Sequence, residues 1–594
     1  MEPAAAYNSR QQRWRAEAER TAALFIRIGN WRLLLALCAV SIAVLAFWRG
    51  ALSAWWLLAP AAAFVALLVW HERVERRRAF AERAIRWYDR GLARLGDRWA
   101  GGGNDGAAFR DSTHIYAEDL DIFGRGSLFE LISTARTGAG ERTLAEWLLN
   151  AASLTDAQAR QEATRELRER LDLREDLALL GEDIRAEVHA ETLAGWGSAP
   201  PVIFSPALRW LAPLLAVAGV ATFSLFMAHV LPLSPFAAVI AGDVIFIAVV
   251  RRRVASVVSA IDTPARDLRI LALLLERLER ENFTAPRLRA LRAELDVDGH
   301  PASRRIARLE RWSELLDSSE SWLLRIVGPV LLWREQVAMA IEAWRRKNGP
   351  HTGRWLAAVG ELEALSSLAS FSFERPAWNY PELLADSEPR FEAEGLQHPL
   401  MPPSQCVPND VSIGGALRVL IVSGSNMSGK STLLRSIGLN AVLAWAGAPV
   451  AAKRLRISPV QVGASIRVTD SLQDGRSRFY AEISRIRRIM DLASGPRPVL
   501  FLVDELLSGT NSHDRRIGAA ALVRGLADRG AIGLVTTHDL ALADLERDLG
   551  GRAANVHFDD EILDGQIRFD YRLRPGVVTR SNALELMRAV GLEV

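Results

Sequence analysis

Lysine is nearly missing from this sequence: only Lys347, Lys430 and Lys453 stand among 73 basic residues, the rest being arginine. A bias spread over a whole chain says little about function, but it makes a lysine inside a motif informative. Cysteine is as scarce. Cys38 sits in an apolar run and Cys406 does not, which argues against a disulfide, and no Cys/His spacing fits a zinc site. The soluble parts therefore suit a reducing compartment. Neither sign of charge is in excess, since 73 basic and 70 acidic residues leave +3 at pH 7. That balance argues against a general polyanion binder and leaves room for a local basic face. At 594 residues the chain exceeds a single hydrophobic core, so two or more domains are expected.

Apolar sequence is plentiful. Residues 33–48 and 52–70 are nearly free of charge and are separated by Arg49-Gly50-Ala51. Each approaches the roughly 20 residues that cross a bilayer as a helix. Trp31, Trp48, Trp55, Trp56 and Trp70 fall near the ends, as interfacial aromatics do. A second apolar run follows the first at once with no small-residue cleavage site between, which disfavours a signal peptide. A second pair, 210–230 and 231–250, is joined through Pro232 and Pro235 and carries Asp243. A carboxylate inside a membrane is costly without a partner, and His229 near the turn is one candidate. Arginines flank both pairs: Arg10 to Arg32 and Arg73 to Arg78 around the first, Arg209 and Arg251 to Arg253 around the second. By the positive-inside rule these flanks are cytoplasmic and both hairpin tips point outward.

The expected organisation follows. An N-terminal arm (1–30) precedes transmembrane hairpin 1 (31–71), a first helical part (72–207), transmembrane hairpin 2 (208–252), a second helical part (253–385) and a nucleotide-binding domain (390–594). The expected location is the cell (inner) membrane, multi-pass, with the soluble segments in the cytoplasm.

The strongest local signal begins at an apolar run, 419–423. It leads into Gly424-Ser425-Asn426-Met427-Ser428-Gly429-Lys430-Ser431, followed by Thr432, and fits the phosphate-loop pattern G-x-x-x-x-G-K-[ST]. The glycines let backbone N–H groups turn inward around phosphate oxygens, and the following helix N-terminus adds its dipole. Lys430 would reach the β- and γ-phosphates of ATP, and the Ser431 hydroxyl would bind Mg²⁺. A second apolar run, 499–503, ends in Asp504-Glu505. There Asp504 would hold Mg²⁺ and Glu505 would orient or deprotonate the attacking water. A third, 531–535, ends at Thr536-Thr537-His538, where His538 would sense the γ-phosphate. Helical stretches 432–445, 477–493 and 515–529 alternate with these strands. The fold class is thus an α/β P-loop (ABC-type) ATPase domain with a parallel sheet, preceded by an all-α region and two transmembrane hairpins.

What lies between these elements resembles the MutS family. Ser425-Asn426-Met427 looks like its phosphate loop. The stretch Asp470 to Glu482, with Ser477-Arg478-Phe479 at its centre, is similar to the segment before its second strand. The resemblance implies that Ser477 reaches the nucleotide of the opposite subunit. Asp504-Glu505-Leu506-Leu507-Ser508-Gly509-Thr510 resembles the family's Asp-Glu block, with Leu507-Ser508 replacing Gly-Arg. His398-Pro399 and Asn409-Asp410 match a segment near the base, and the tail from Asn555 to Ser581 looks like the part that packs across a dimer. Upstream, Asp119 to Phe129 and Gly140 to Leu148 look like the opening of the helical core, and 361–370 like the close of its levers.

The resemblance implies an ATP- and Mg²⁺-dependent homodimer with composite sites, joined through the ATPase domain. It also implies, as possible ligand, mismatched or branched DNA. The family's N-terminal mismatch-reading domain has no counterpart in the sequence; Phe80-Ala81-Glu82 spells its Phe-x-Glu triplet but lies on a charged helix. Arg251–Arg253, and arginines within 287–292 and 304–311, are candidate phosphate contacts, more simply read as a membrane flank and solvated helix faces. The alternative is a membrane ATPase switch acting on a membrane partner or substrate. The second apolar pair also emerges roughly where the repair proteins carry a DNA clamp, so a membrane hairpin is expected in its place.

Overall fold

The computed structural model describes residues 2–50, 52–187, 190–202, 205–320, 322–385, 388–425, 427–467, 478–507, 511–538, 540–563 and 566–578. The chain divides into two compact units, Met1–Ser133 with Ser370–Val594, and Thr134–Ala369.

In the first unit, helix α1 (Pro3–Ala43) starts on a proline at its first turn, where the missing N–H costs nothing. It runs without a break from the Arg-rich arm into the first apolar run and ends in a π-turn, Val44–Trp48. The arm and the run, separated at residue 30 in the sequence reading, are one rod. Helix α2 (Leu58–Leu95) returns alongside it. The two ends of this hairpin differ in what surrounds them. Near the termini Tyr7 is buried among Trp87, Tyr88 and Phe373. Its hydroxyl donates to Glu374 Oε1 at 3.1 Å, and Arg94 grips the same carboxylate through two bonds of 2.6 Å. Toward the tip, Trp31, Leu33, Leu37, Val40, Phe47 and Trp48 are exposed, and the most apolar 18-residue window of this rod is 0% buried.

In the second unit, α3 (Pro206–Met227) and α4 (Leu233–Ser259) pair through a short turn in which His229 takes φ +57°. Their apolar windows are each 17% buried. Asp243 of α4 is 2% exposed, and neither of its oxygens has a hydrogen-bond partner among the described residues. His229 is therefore not its partner. Helices α5 (Asp262–Glu279) and α6 (Ala302–Asp317) pack together within this same unit, not as a separate clamp. Helix α7 (Trp333–Glu374) is also long and apolar, but its window is 83% buried, so its apolar face is core. The stretch just before Gly140 and the closing stretch 361–370 meet at Glu363. It accepts from the backbone N–H of Arg136 and Thr137, at 3.2 and 3.1 Å, and from the Thr137 hydroxyl. Burial pushes this carboxyl up to about 7, against the lowering effect of those bonds.

Residues 382–575 hold two sheets. The smaller consists of β1 (Glu382–Leu383), β2 (Arg390–Leu396), β3 (Asn409–Gly414) and a later strand. The larger starts with β4 (Val419–Ser423), followed by α8 (Lys430–Ala446). Strand β5 (Arg454–Ile457) completes the small sheet in the order β1-β5-β2-β3. Then come β6 (Gln461–Ser465), α9 (Arg478–Leu492), β7 (Val499–Val503), α10 (Ser512–Asp528), β8 (Ile532–Thr537), β9 (Ala553–Leu563) and β10 (Gln566–Pro575). The large sheet has the order β10-β9-β4-β8-β7-β6 and is parallel except for β10, which pairs antiparallel with β9. Strands β4, β7 and β8 are buried along their whole length, as central strands covered on both faces must be. The parallel sheet expected from sequence is present, with an antiparallel edge strand and a separate small sheet added to it. The parallel order brings the C-terminal ends of β4, β7 and β8 side by side, where loops form a ligand crevice.

Candidate functional site

The loop after β4 has the backbone of a phosphate cradle. Gly424 and Gly429 take φ +153° and +106°, and Met427 takes +69°. A Cβ on Gly424 would lie 2.7 Å from Ser428 Oγ, so only glycine fits there. Gly429 then opens α8 at Lys430. The Lys430 ammonium donates to the carbonyls of Gly424 and Ser425 at 2.8 and 2.7 Å, folding the side chain back over its own loop. Burial lowers its pKa, and the charges of Asp504 and Glu505 oppose that shift. A phosphate oxygen drawn to this ammonium would replace those two carbonyls as partner.

Across from it, Ser431 Oγ donates to Asp504 Oδ2 at 2.5 Å. The hydroxyl after the lysine and the carboxylate after β7 are thus side by side. Among the described residues no cluster of three or more His, Cys, Asp or Glu would hold a metal unaided. One hydroxyl and one carboxylate are what Mg²⁺ needs from a protein when phosphate oxygens and water supply the rest. The donor set fits Mg²⁺, which when bound would neutralise phosphate charge.

Glu505 follows with φ +47°, and Leu507 with +57°, a region that non-glycine residues adopt at a cost. Three side chains hold this turn, one of them Arg515, whose Nε donates to the Leu507 carbonyl at 3.1 Å. The buried Thr536 hydroxyl, at the end of β8, accepts from the Glu505 N–H at 2.9 Å and donates to Asp504 Oδ1. Glu482 of α9 accepts from the Leu507 N–H at 2.5 Å. The turned backbone aims the Glu505 carboxylate outward to His538, whose Nε2 lies 2.7 Å from Glu505 Oε1. The structure therefore brings together Lys430, Ser431, Asp504, Glu505 and His538. Asn426 and Ser477 lie outside the described residues, as do 508–510 and the tail beyond 578.

A cavity of about 580 Å³ opens beside the loop, large enough for a nucleoside. Gly429, Lys430, Ser431, Thr432 and Glu505 line one part; Gln397, His398, Asn409, Phe558 and Tyr571 line the rest. Burial, reinforced by the Arg435 charge, lowers His398 to about 4. Its ring is neutral at neutral pH, and Nδ1 accepts from the Leu400 N–H at 3.2 Å. Asn409 clips β3 to β10 through Nδ2 to the Tyr571 carbonyl at 3.0 Å and Oδ1 from the Leu573 N–H at 2.7 Å.

Asp119, fully buried, accepts from the N–H groups of Ile466 and Arg467 at 2.8 and 2.6 Å and from Arg485 at 2.5 Å. Burial raises its pKa, with Arg485 the main opposing charge. This residue thus ties both ends of the stretch that contains Ser477. The sequence reading assigned no role to Thr536, Glu482, Asp119 or Tyr571. A hydroxyl at the end of the third buried strand was the available signal for Thr536; nothing local marks Tyr571.

Residues 420–593 match the family described as MutS domain V. The C-terminal part of the chain is thus similar to MutS domain V. A DNA mismatch repair protein MutS from Natronomonas pharaonis is 32% identical over 264 residues, 44% of this chain and 29% of that protein. Endonuclease MutS2 of Thermus thermophilus is 33% identical over 246 residues, 40% of this chain and 30% of that protein. The DNA mismatch repair protein MutS of Geobacillus thermodenitrificans is 32% identical over 297 residues, 49% of this chain and 32% of that protein. The chain thus spans about a third of the length of the curated relatives it matches.

Proposed function

We propose that this protein is a Mg²⁺-dependent ATPase, anchored in the cell (inner) membrane by two helical hairpins and working as a homodimer. The observation that carries the ATPase reading is the convergence of Lys430 and Ser431, after β4, with Asp504 and Glu505, after β7, and with His538, after the β8 strand between them. Lys430 binds the phosphates and Glu505 orients the attacking water. His538 holds the Glu505 carboxylate, and Ser477 of one subunit completes the site of the other.

The anchor reading rests on the exposed apolar lengths of α1 to α4 and their arginine flanks. Four such helices in water would present far more apolar surface than a soluble monomer carries. Mismatched DNA is the ligand to which the relatives' names point, and branched DNA is kept beside it as a candidate. A second reading, in which the dimer acts on a membrane partner, is favoured by a specific observation. Two of the arginines in the candidate DNA-facing stretches are already engaged: Arg287 with Glu361 at 2.6 Å and Arg305 with Asn348 at 2.8 Å. ATPase rates with and without duplex, mismatched and branched DNA at two salt concentrations separate the readings. Stimulation that weakens with salt supports DNA. A rate indifferent to every DNA sinks that reading and leaves the membrane partner.

A further inference from the structure

Between α6 and α7 the chain makes an elbow. Residues 324–333 read Leu-Arg-Ile-Val-Gly-Pro-Val-Leu-Leu-Trp, apolar apart from Arg325, and Ile326 and Val327 are 69% and 40% exposed. A Cβ built on Gly219 of α3 would lie 3.2 Å from Val330 Cγ1 and 3.6 Å from the Val330 carbonyl. Gly219 is well inside α3, roughly 14 Å of helix rise beyond Trp210. The elbow therefore packs beside the apolar hairpin at depth, through a glycine that lets backbone approach.

Its own backbone is provided for. The N–H groups of Gly328, Leu331, Leu332 and Trp333 donate to the carbonyls of Leu324, Val327, Pro329 and Gly328, and the Gln336 side chain donates to the Leu331 carbonyl at 2.7 Å. Irregular backbone survives at membrane depth only under that condition. Leu332, fully buried with φ +47°, makes the turn into α7.

Under the elbow lies a cavity of about 440 Å³. Along α4 it runs from Ile247 to Val258 and on to Asp262, so it straddles the level of Arg251–Arg253, where the apolar span gives way to the charged flank. Its walls carry charge of both signs: Arg325 and Arg334, with Asp262, Asp317 and Glu335. A soluble anion would find the three carboxylates repulsive, and a simple cation the two guanidiniums. A group bearing a phosphate and an ammonium a few ångströms apart satisfies both. Farther along α4, Val244, Ile245 and Val249 are exposed, apolar surface that suits acyl chains.

We propose that this elbow and the base of α4 form a binding site for a membrane phospholipid whose headgroup carries both a phosphate and a primary ammonium, phosphatidylethanolamine by class. The proposal rests on the membrane reading of α3 and α4. The guanidiniums of Arg325 and Arg334 take the phosphate, the carboxylates take the ammonium, and the acyl chains lie along α4 beyond Ile247.

The test is native mass spectrometry of the detergent-purified full-length protein after exchange into equimolar phosphatidylethanolamine, phosphatidylglycerol and phosphatidylcholine. The expected result is at least fivefold enrichment of bound phosphatidylethanolamine over both others. Arg325→Gln with Arg334→Gln should abolish it, and soluble glycerophosphoethanolamine should not compete. Glu335→Gln should bring phosphatidylcholine level with phosphatidylethanolamine. Equal retention of the three lipids, or preference for phosphatidylglycerol, overturns the proposal, as does enrichment that survives the double arginine variant. Competition by the soluble headgroup overturns the lipid assignment. Carbonate extraction of native membranes separates the two levels of failure. Release of the protein refutes the membrane reading itself, whereas retention without lipid selectivity refutes this inference alone.

Discussion

Thr536→Val is the most informative single change in the site. It keeps the shape of a fully buried side chain and removes one hydroxyl with two jobs: accepting the Glu505 N–H at 2.9 Å and donating to Asp504 Oδ1. A neutral hydrogen bond is worth about 1 kcal/mol net, and one to a charged acceptor about 1.5–3. Glu505 also holds φ +47°, a conformation that costs on the order of 1–3 kcal/mol and persists only when its surroundings impose it. Losing both bonds therefore releases about 2.5–4 kcal/mol of restraint on the turn that aims Glu505. If roughly 1.4–2.8 kcal/mol of this is felt in the transition state, kcat falls about 10- to 100-fold. KM for ATP should change little, because Lys430 and the glycine loop are untouched. Steady-state ATPase assays should show that split, and Thr536→Ser should restore most of the rate. A Thr536→Val protein with kcat within twofold of the original would refute the claim that this hydroxyl holds the hydrolytic turn.

Other outcomes are expected on the same grounds. Lys430→Ala should abolish tight nucleotide binding in equilibrium titrations, since it is the buried cation of the loop. Ser477→Ala should slow hydrolysis only through the partner, so mixing it with Lys430→Ala subunits reads the composite site. Glu374→Gln removes the charge that Arg94 grips and should destabilise the unit by about 3–5 kcal/mol, seen as a lowered Tm. His398 gives a pH signature. Its folded pKa, about 4, lies below the unfolded value of about 6.5, so the unfolded chain binds more protons between those values. Its contribution to stability is full above about pH 6.5 and falls with acidification toward pH 4, by at most about 3 kcal/mol. His398→Gln should flatten the pH dependence of Tm in that window.

Much of the candidate site was legible because its signals are local. The apolar pentads at 419–423 and 499–503 are strands with those same ends, and helix 432–445 is the body of α8. The glycine and lysine spacing needs no tertiary knowledge to read. What escaped were features that depend on distant segments meeting. Tyr571 reaches the cavity only because β9 and β10 fold back beside β4, and Asp119 reaches Arg485 across more than 360 residues. Likewise, the packing of Met1–Ser133 in one unit with Ser370–Val594 rests on contacts such as Arg94–Glu374, which no periodicity announces. The elbow at 324–333 looked like lever sequence, because its apolar run is too short to register as a span.

The central claim is that Lys430, Ser431, Asp504 and Glu505 form a working Mg²⁺-ATPase site in a membrane-anchored protein. The most direct measurement is phosphate release by the full-length protein in lipid nanodiscs, with Mg²⁺ or with EDTA, beside Glu505→Gln. Hydrolysis that requires Mg²⁺ and disappears in Glu505→Gln while ATP binding persists is the predicted result. Hydrolysis that continues unchanged in Glu505→Gln, or binding lost together with it, would contradict the account.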